Sequence, residues 1–235
     1  MNKVIVYTTI FGQSDSLKPA PAGADRCICF VDYHGRELFD ADDTKGWDVR
    51  MIADPMFKQS PRRHAWHLRC IPHQLFEDYR RVVWIDASLT LIDLPRVLRD
   101  AGDAPIAALR HDERFSPYRE GPRLVKIGQA LKADIDRQLA DYRAEGFAVG
   151  HLSIACLIVR DHSARVQRFN ATWDAQINKH PGDNTQVSLD YSAWRAGLTI
   201  HALQGTRHEN PYATHDHLDH RRRRRPYLGA SEAHT

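Results

Sequence analysis

VVWIDASLTLI, running from Val82 to Ile92, drives four apolar residues into an acid, Asp86, then a small residue and a hydroxyl, and then a second apolar run. Val82, Val83, Trp84 and Ile85 have the unbroken apolar pattern of a strand covered on both faces, as in a parallel sheet. An acid that ends such a strand lies at the carboxyl edge of the sheet, where open α/β sheets bind ligands. A carboxylate buried there without a partner is costly. A divalent metal carrying a phosphate would satisfy it, and a capping Asp at the strand end is the alternative.

Working outward, strand and helix patterns alternate. Val4–Thr9, Cys27–Val31, Trp47–Ile52, Val82–Ile85, Pro105–Leu109, Leu152–Val159 and Thr199–Leu203 read as strands. Ser60-Pro61 reads as a helix start, with a break near Pro72. Leu94–Asp100, Leu124–Glu145, Ala164–Lys179 and Gln186–Ala196 read as helices. The longest carries Ile127, Leu131, Ile135 and Leu139 at intervals of four and stops at Gly146. This alternation predicts an α/β fold, with a mainly parallel central sheet flanked by helices. Residues 1–205 are expected to form one domain, and 206–235 a His/Arg-rich C-terminal tail that is partly site-forming or disordered.

The 235 residues carry a net charge of +3, 42% hydrophobic and 27% charged residues, which suits a globular domain with a real core. No run approaches the roughly 20 apolar residues of a membrane span. The N-terminal segment reads as a first strand rather than a signal peptide. Four scattered cysteines fit neither a zinc site nor a disulfide framework, so a cytoplasmic, reducing compartment is expected. Arg221 to Arg225 form the strongest charge run. It reads as a solvated tail or as a phosphate-binding segment.

Eight segments occur in order: YTTIFGQSDSL, CICFVD, GWDV, RRHAWHLRCIPHQLF, WIDAS, HDERFSPYRE, YRAEGF and NTQVSLDYSAWRAG. Across residues 3 to 200 this series resembles a glycosyltransferase-like domain family, formerly of unknown function, with plant members named for turgor regulation and mucilage. The resemblance implies a GT-A-like, Rossmann-type fold. It also implies a glycosyltransferase that moves a sugar from a nucleotide-sugar donor, a UDP-sugar first among them, to a glycan or small-molecule acceptor. Such enzymes usually employ Mn²⁺ or Mg²⁺, which prefer hard oxygen ligands. The departing diphosphate accumulates negative charge that a metal or basic side chains must stabilise.

Carried onto this chain, the family's Asp-x-Asp metal motif falls on Asp86-Ala87-Ser88, where Ser88 is a neutral ligand. His208 would supply a last metal ligand, with His215, Asp216, His217, Asp219 and His220 competing for that role. Thr8 and Thr9 end the first strand, where the base would sit, and Asp32, ending the second, would meet the ribose or base or serve as a turn-forming Asp. Arg62, Arg63 and Arg69 are the basic candidates; Arg69 occupies the family's Lys position before Pro72-His73. His111 and Arg114, with Tyr118 and Glu120, match a loop that would border the donor sugar; His151, opening a later strand, would lie under the acceptor or be a satisfied interior His. Gln186 and Ser188 match the family's Arg-Asp-Gln-x-Ser, but Thr185 replaces its acid. The catalytic candidates are therefore Asp86, Asp183 and Gln186, with Asp183 as a plain helix cap in the alternative reading. Two other functions remain open: a sugar transferase acting on modified nucleic-acid bases through Arg221–Arg225, and a noncatalytic nucleotide-sugar or nucleic-acid binding module. No base-stacking motif favours the first. The loss of two acids, at Ser88 and Thr185, favours the second.

Overall fold

A computed structural model describes residues 3–11, 15–32, 43–52, 61–180 and 185–215, the side chains of 61 and 62 excepted. Its main sheet has seven strands in the order β3-β2-β1-β4-β7-β6-β8. These are β1 (Val4–Ile10), β2 (Arg26–Val31), β3 (Asp48–Met51), β4 (Arg81–Ile85), β6 (Ile106–Arg110), β7 (Ser153–Arg160) and β8 (His201–Ala202). Strands β3, β2, β1 and β4 run parallel, and β6 pairs parallel with β8. Only β7 opposes its neighbours, lying antiparallel between β4 and β6. This is the expected α/β class with a mainly parallel sheet.

Both faces of the sheet are buried, as the apolar runs require. Val6, Val83, Ile85 and Cys156 face one core, closed by Leu94 and Val97 of α3 (Leu94–Ala101). Ile5, Tyr7, Val82 and Trp84 face the other. That side is covered by α1 (Pro61–Cys70), by Phe169 and Trp173 of α6 (Ala164–Lys179) and by Leu189 of α7 (Gln186–Arg195). A four-residue helix, α2 (Pro72–Leu75), follows α1 after the break expected at Pro72.

The long helix expected over Leu124–Glu145 is two helices, α4 (Pro117–Lys126) and α5 (Lys132–Ala144). Gly128 sits at φ +69 between them, and Ile127 and Leu131 are 45% and 72% exposed. Their four-residue spacing mimicked a helical face that the chain does not bury. Leu124, Ile135, Leu139 and Tyr142 instead build a small third core, in which Tyr142 stacks on Tyr191 at 3.7 Å.

The last strand expected over Thr199–Leu203 shortens to His201–Ala202. Beyond it, the chain up to His215 is tied to the body. Strand β9 (Ala213–His215) pairs antiparallel with β5 (Leu89–Leu91), directly after Ser88. Tyr212 is fully buried. Among the described residues no helix is long and apolar enough to cross a membrane. The four cysteines are free thiols. Asp183 and Arg221–Arg225 lie outside the described residues, as do Asp216, His217, Asp219 and His220.

Candidate functional site

The sheet order reverses between β1 and β4, and open α/β sheets take ligands at such a switch point, beyond the carboxyl ends of the strands. The parallel strands deliver Thr8 and Thr9 (end of β1), Asp32 (after β2), Asp86 (after β4) and His111 (after β6) to this one edge. Thr8 and Thr9 are buried. The Thr8 hydroxyl is buried without a hydrogen-bond partner.

Asp86 is fixed by its own turn. Its N–H donates to the Cys156 carbonyl at 2.8 Å, and its carbonyl accepts from Leu89 N–H at 2.9 Å. Its Oδ1 accepts from Arg69 Nη2 at 2.8 Å and from the Trp84 indole at 3.1 Å. The Arg69 guanidinium lies over the Trp84 ring, 4.5 Å from its centroid, and also donates to Thr185 Oγ1 at 3.0 Å. The backbone of Arg69 is held in turn. Its carbonyl accepts from Tyr7 Oη at 3.0 Å, and Tyr7 accepts from Arg160 Nη2 at 2.6 Å. Burial pushes the Tyr7 phenol up to about 12, so it stays protonated and keeps donating. Tyr7 and Arg160 were not legible as support for the site, because nothing local ties them to residue 69.

Thr185 departs from ordinary backbone. It is a β-branched residue at φ +71, immediately before α7. That conformation strains any residue but Gly, and more so one branched at Cβ. Two contacts hold it: its hydroxyl on Arg69, and its carbonyl accepting from the Trp173 indole at 2.9 Å.

On the other side of Asp86 stands a residue that sequence reading passed over for its neighbour His208. Arg207 Nη2 donates to the Ser88 hydroxyl at 3.1 Å. The loop carrying it is tightly built. Gly205 adopts φ +87 with Glu209 O and Asn210 Cα where a Cβ would be. Asn210 Oδ1 accepts from the N–H groups of Tyr212 and Ala213 at 3.0 and 2.8 Å. Burial pushes the Cys156 thiol to about 12; Asp86 adds to this while Arg207 and Arg69 oppose it, so all three charges act on one buried side chain.

A cavity of about 550 Å³ opens beside this cluster, lined by His111, Arg114, Glu120, Gln186, Arg207 and His208 among others. Arg114 pairs with the buried Glu120 at 2.5 Å and contacts the His111 ring. Burial, then the Arg114 charge, hold the His111 imidazole below its ordinary pKa, so it is neutral near pH 7. Burial raises the Glu120 carboxyl while Arg114 and Arg123 pull it down. His208 is exposed, with its ring 5.3 Å from that of His215. Arg63 donates to the Ile177 carbonyl at 3.0 Å, in the last turn of α6. His151 stands 3.6 Å from Asp190, a buried acid whose oxygens accept from Ser153 N–H and Oγ.

The metal candidates Asp86, Ser88 and His208 do not fit a divalent ion well. Two of the three are already engaged by guanidinium groups. Among the described residues no three His, Cys, Asp or Glu side chains gather as cation ligands. Two unit charges 4 Å apart repel by ~4 kcal/mol at an effective permittivity near 20, and a divalent ion doubles that.

A strand-end acid, two arginines and a polar cavity thus gather at the switch point of an α/β fold. Residues 1–204 match the TOD1/MUCI70, glycosyltransferase-like domain family, and the chain belongs to it. A probable hexosyltransferase, MUCI70 of Arabidopsis thaliana, is 24% identical over 203 aligned residues, which cover 75% of this chain. The match spans 35% of that relative's length. The apo structure of the WbbM bifunctional glycosyltransferase superposes with a TM-score of 0.46 at 15% identity, covering 80% of this chain and 37% of WbbM.

Proposed function

We propose that this protein is a nucleotide-sugar-dependent glycosyltransferase acting on a glycan or small-molecule acceptor, with a UDP-sugar as the first donor to test. The observation that carries this reading is the Asp86–Arg69–Thr185 cluster at the switch point, beside the polar cavity. A nucleotide sugar would lay its base and ribose along Thr8, Thr9 and Asp32. Its diphosphate would meet Arg69, and its sugar would enter the cavity near His111, Arg114 and Gln186. The probable hexosyltransferase among its relatives supports a hexosyl donor. Asp183 remains the candidate base.

Incubation with a panel of UDP- and GDP-hexoses, reading release of the nucleoside diphosphate, tests the proposal. Asp86→Asn, nearly isosteric, should lower release at least tenfold while the protein still unfolds cooperatively. Binding of a nucleotide sugar with no release or transfer to any acceptor would favour the noncatalytic module instead. A salt-sensitive shift of DNA or RNA would direct the acceptor search to nucleic acid.

A further inference from the structure

Resting on the nucleotide-sugar reading, we infer that Arg69 and Arg207 together hold the donor diphosphate in place of a divalent cation. Three observations converge on this. First, the two guanidinium groups flank one short turn, Arg69 on Asp86 and Arg207 on Ser88, and together supply the two positive charges that a divalent ion would bring. Counting Asp86, Ser88, Thr185, Arg69 and Arg207, the cluster carries one negative and two positive formal charges. An acid at both 88 and 185 would make it three negative and two positive. As built, it attracts an anion.

Second, donor capacity is left unspent within the protein. The Nε–H groups of Arg69 and Arg207 are both buried without a hydrogen-bond partner. Arg207 makes its one side-chain hydrogen bond among the described residues to Ser88 and also lines the cavity. A guanidinium offers its donors in a planar fork that matches phosphate oxygens. Third, both side chains are placed before any ligand arrives. Tyr7 and Arg160 fix the backbone of Arg69, and Gly205 and Asn210 shape the loop of Arg207. Charge stabilisation in a fixed site requires no reorganisation during the reaction.

The step balances without a metal. The bond from the anomeric carbon to the diphosphate oxygen breaks, and its electron pair stays on that oxygen, facing the two arginines. The acceptor hydroxyl oxygen forms the new bond to the anomeric carbon, and its proton passes to a base or to solvent.

The probes are UDP, GDP, ADP, CDP and inorganic pyrophosphate, titrated calorimetrically into the intact protein in EDTA and then in millimolar Mn²⁺. At least one nucleoside diphosphate should bind with Kd values within about threefold in the two buffers. Arg207→Gln, which keeps a donor for Ser88 but removes the charge, should weaken that binding at least tenfold. Arg207→Lys should fall between. A tenfold or greater gain from Mn²⁺ in the wild-type protein overturns the inference and leaves the nucleotide-sugar reading standing, and this comparison needs no variant. Unchanged affinity in folded Arg207→Gln also overturns it. A protein that binds no nucleoside diphosphate in either buffer overturns both readings.

Discussion

Arg69→Ala should damage the fold as well as the ligand site. The guanidinium joins Asp86 at 2.8 Å, Thr185 at 3.0 Å and the face of Trp84 at 4.5 Å. Removing one partner of a fully buried pair costs about 3–5 kcal/mol, because the other charge is left unpaired. Here the side chains are 12% and 24% exposed, so water takes up part of that cost, and about 2 kcal/mol is a fair share. The lost cation–π contact adds about 0.5–1 kcal/mol. The Thr185 hydroxyl loses a charge-assisted bond, but can recover part of it from water entering the space. The sum is about 3 kcal/mol, or roughly 6–12 °C in Tm for a domain of this length. Thermal and urea unfolding measure it directly. Asp86→Asn alone should cost about 1 kcal/mol, since Trp84 and Arg69 still have an oxygen to bond. The double variant should then cost at least about 1 kcal/mol less than the sum of the singles. Additive losses, or a Tm drop under 3 °C for Arg69→Ala, would refute the view that one guanidinium knits strand end, helix and loop.

Three further outcomes are expected. Thr185→Gly relieves the positive φ but loses the Arg69 bond, so stability should change by less than about 1 kcal/mol; Thr185→Val keeps the strain and loses the bond, and should cost about 1–2 kcal/mol in urea unfolding. Burial holds the imidazoles of His73, His111, His162 and His180 below their ordinary value, so the stability they contribute is complete above about pH 6.5 and is lost as pH falls below it. Burial raises Asp190 and Glu120, which act in the opposite sense; His180→Gln should therefore make the urea midpoint less dependent on pH between 7.5 and 5.5, and an unchanged dependence would count against His180. Gly205→Ala would drive a Cβ to 2.3 Å from Glu209 O and 2.9 Å from Asn210 Cα; it should displace the Arg207 loop and weaken diphosphate binding as strongly as Arg207→Gln, and calorimetry showing intact affinity would contradict this.

Much of the sheet was legible because its strands are apolar on both faces and end in chemistry-bearing residues. VVWID shows this most clearly, with Val83 and Ile85 in one core, Val82 and Trp84 in the other, and Asp86 at the edge. Ala164–Lys179 was legible to the residue, since Ser163 caps it, accepting from Val166 N–H, and its apolar face is regular. The Leu124–Glu145 run misled because spacing alone cannot tell a buried face from an exposed turn, and Gly128 broke the helix within it. Arg207 was missed for a different reason. Its partner Ser88 lies 119 residues away, brought close by a two-stranded ribbon, β5 with β9, that has three residues on each side. Ribbons that short leave almost no periodic signal. Arg160 supports the site from the far end of β7, and only the sheet register relates it to Tyr7.

The two departures from the resembling family's pattern, Ser88 and Thr185, are best understood together. Taken one at a time, each is a lost acid, and lost acids favour a module that binds without catalysing. In the folded chain each hydroxyl accepts a hydrogen bond from an arginine, Ser88 from Arg207 and Thr185 from Arg69. An acid at either position would pair with that guanidinium and compete with a diphosphate for it. A hydroxyl orients the guanidinium and leaves its charge available. Decay of an active site gives no reason for both positions to retain acceptors, nor for Thr185 to keep a strained backbone with its hydroxyl on Arg69. Under the proposed diphosphate site, the pair of substitutions argues for a change in how that group is held rather than for loss of the site, and it ties the neutral residues, the strain and the unpartnered arginine Nε–H groups to one electrostatic cause.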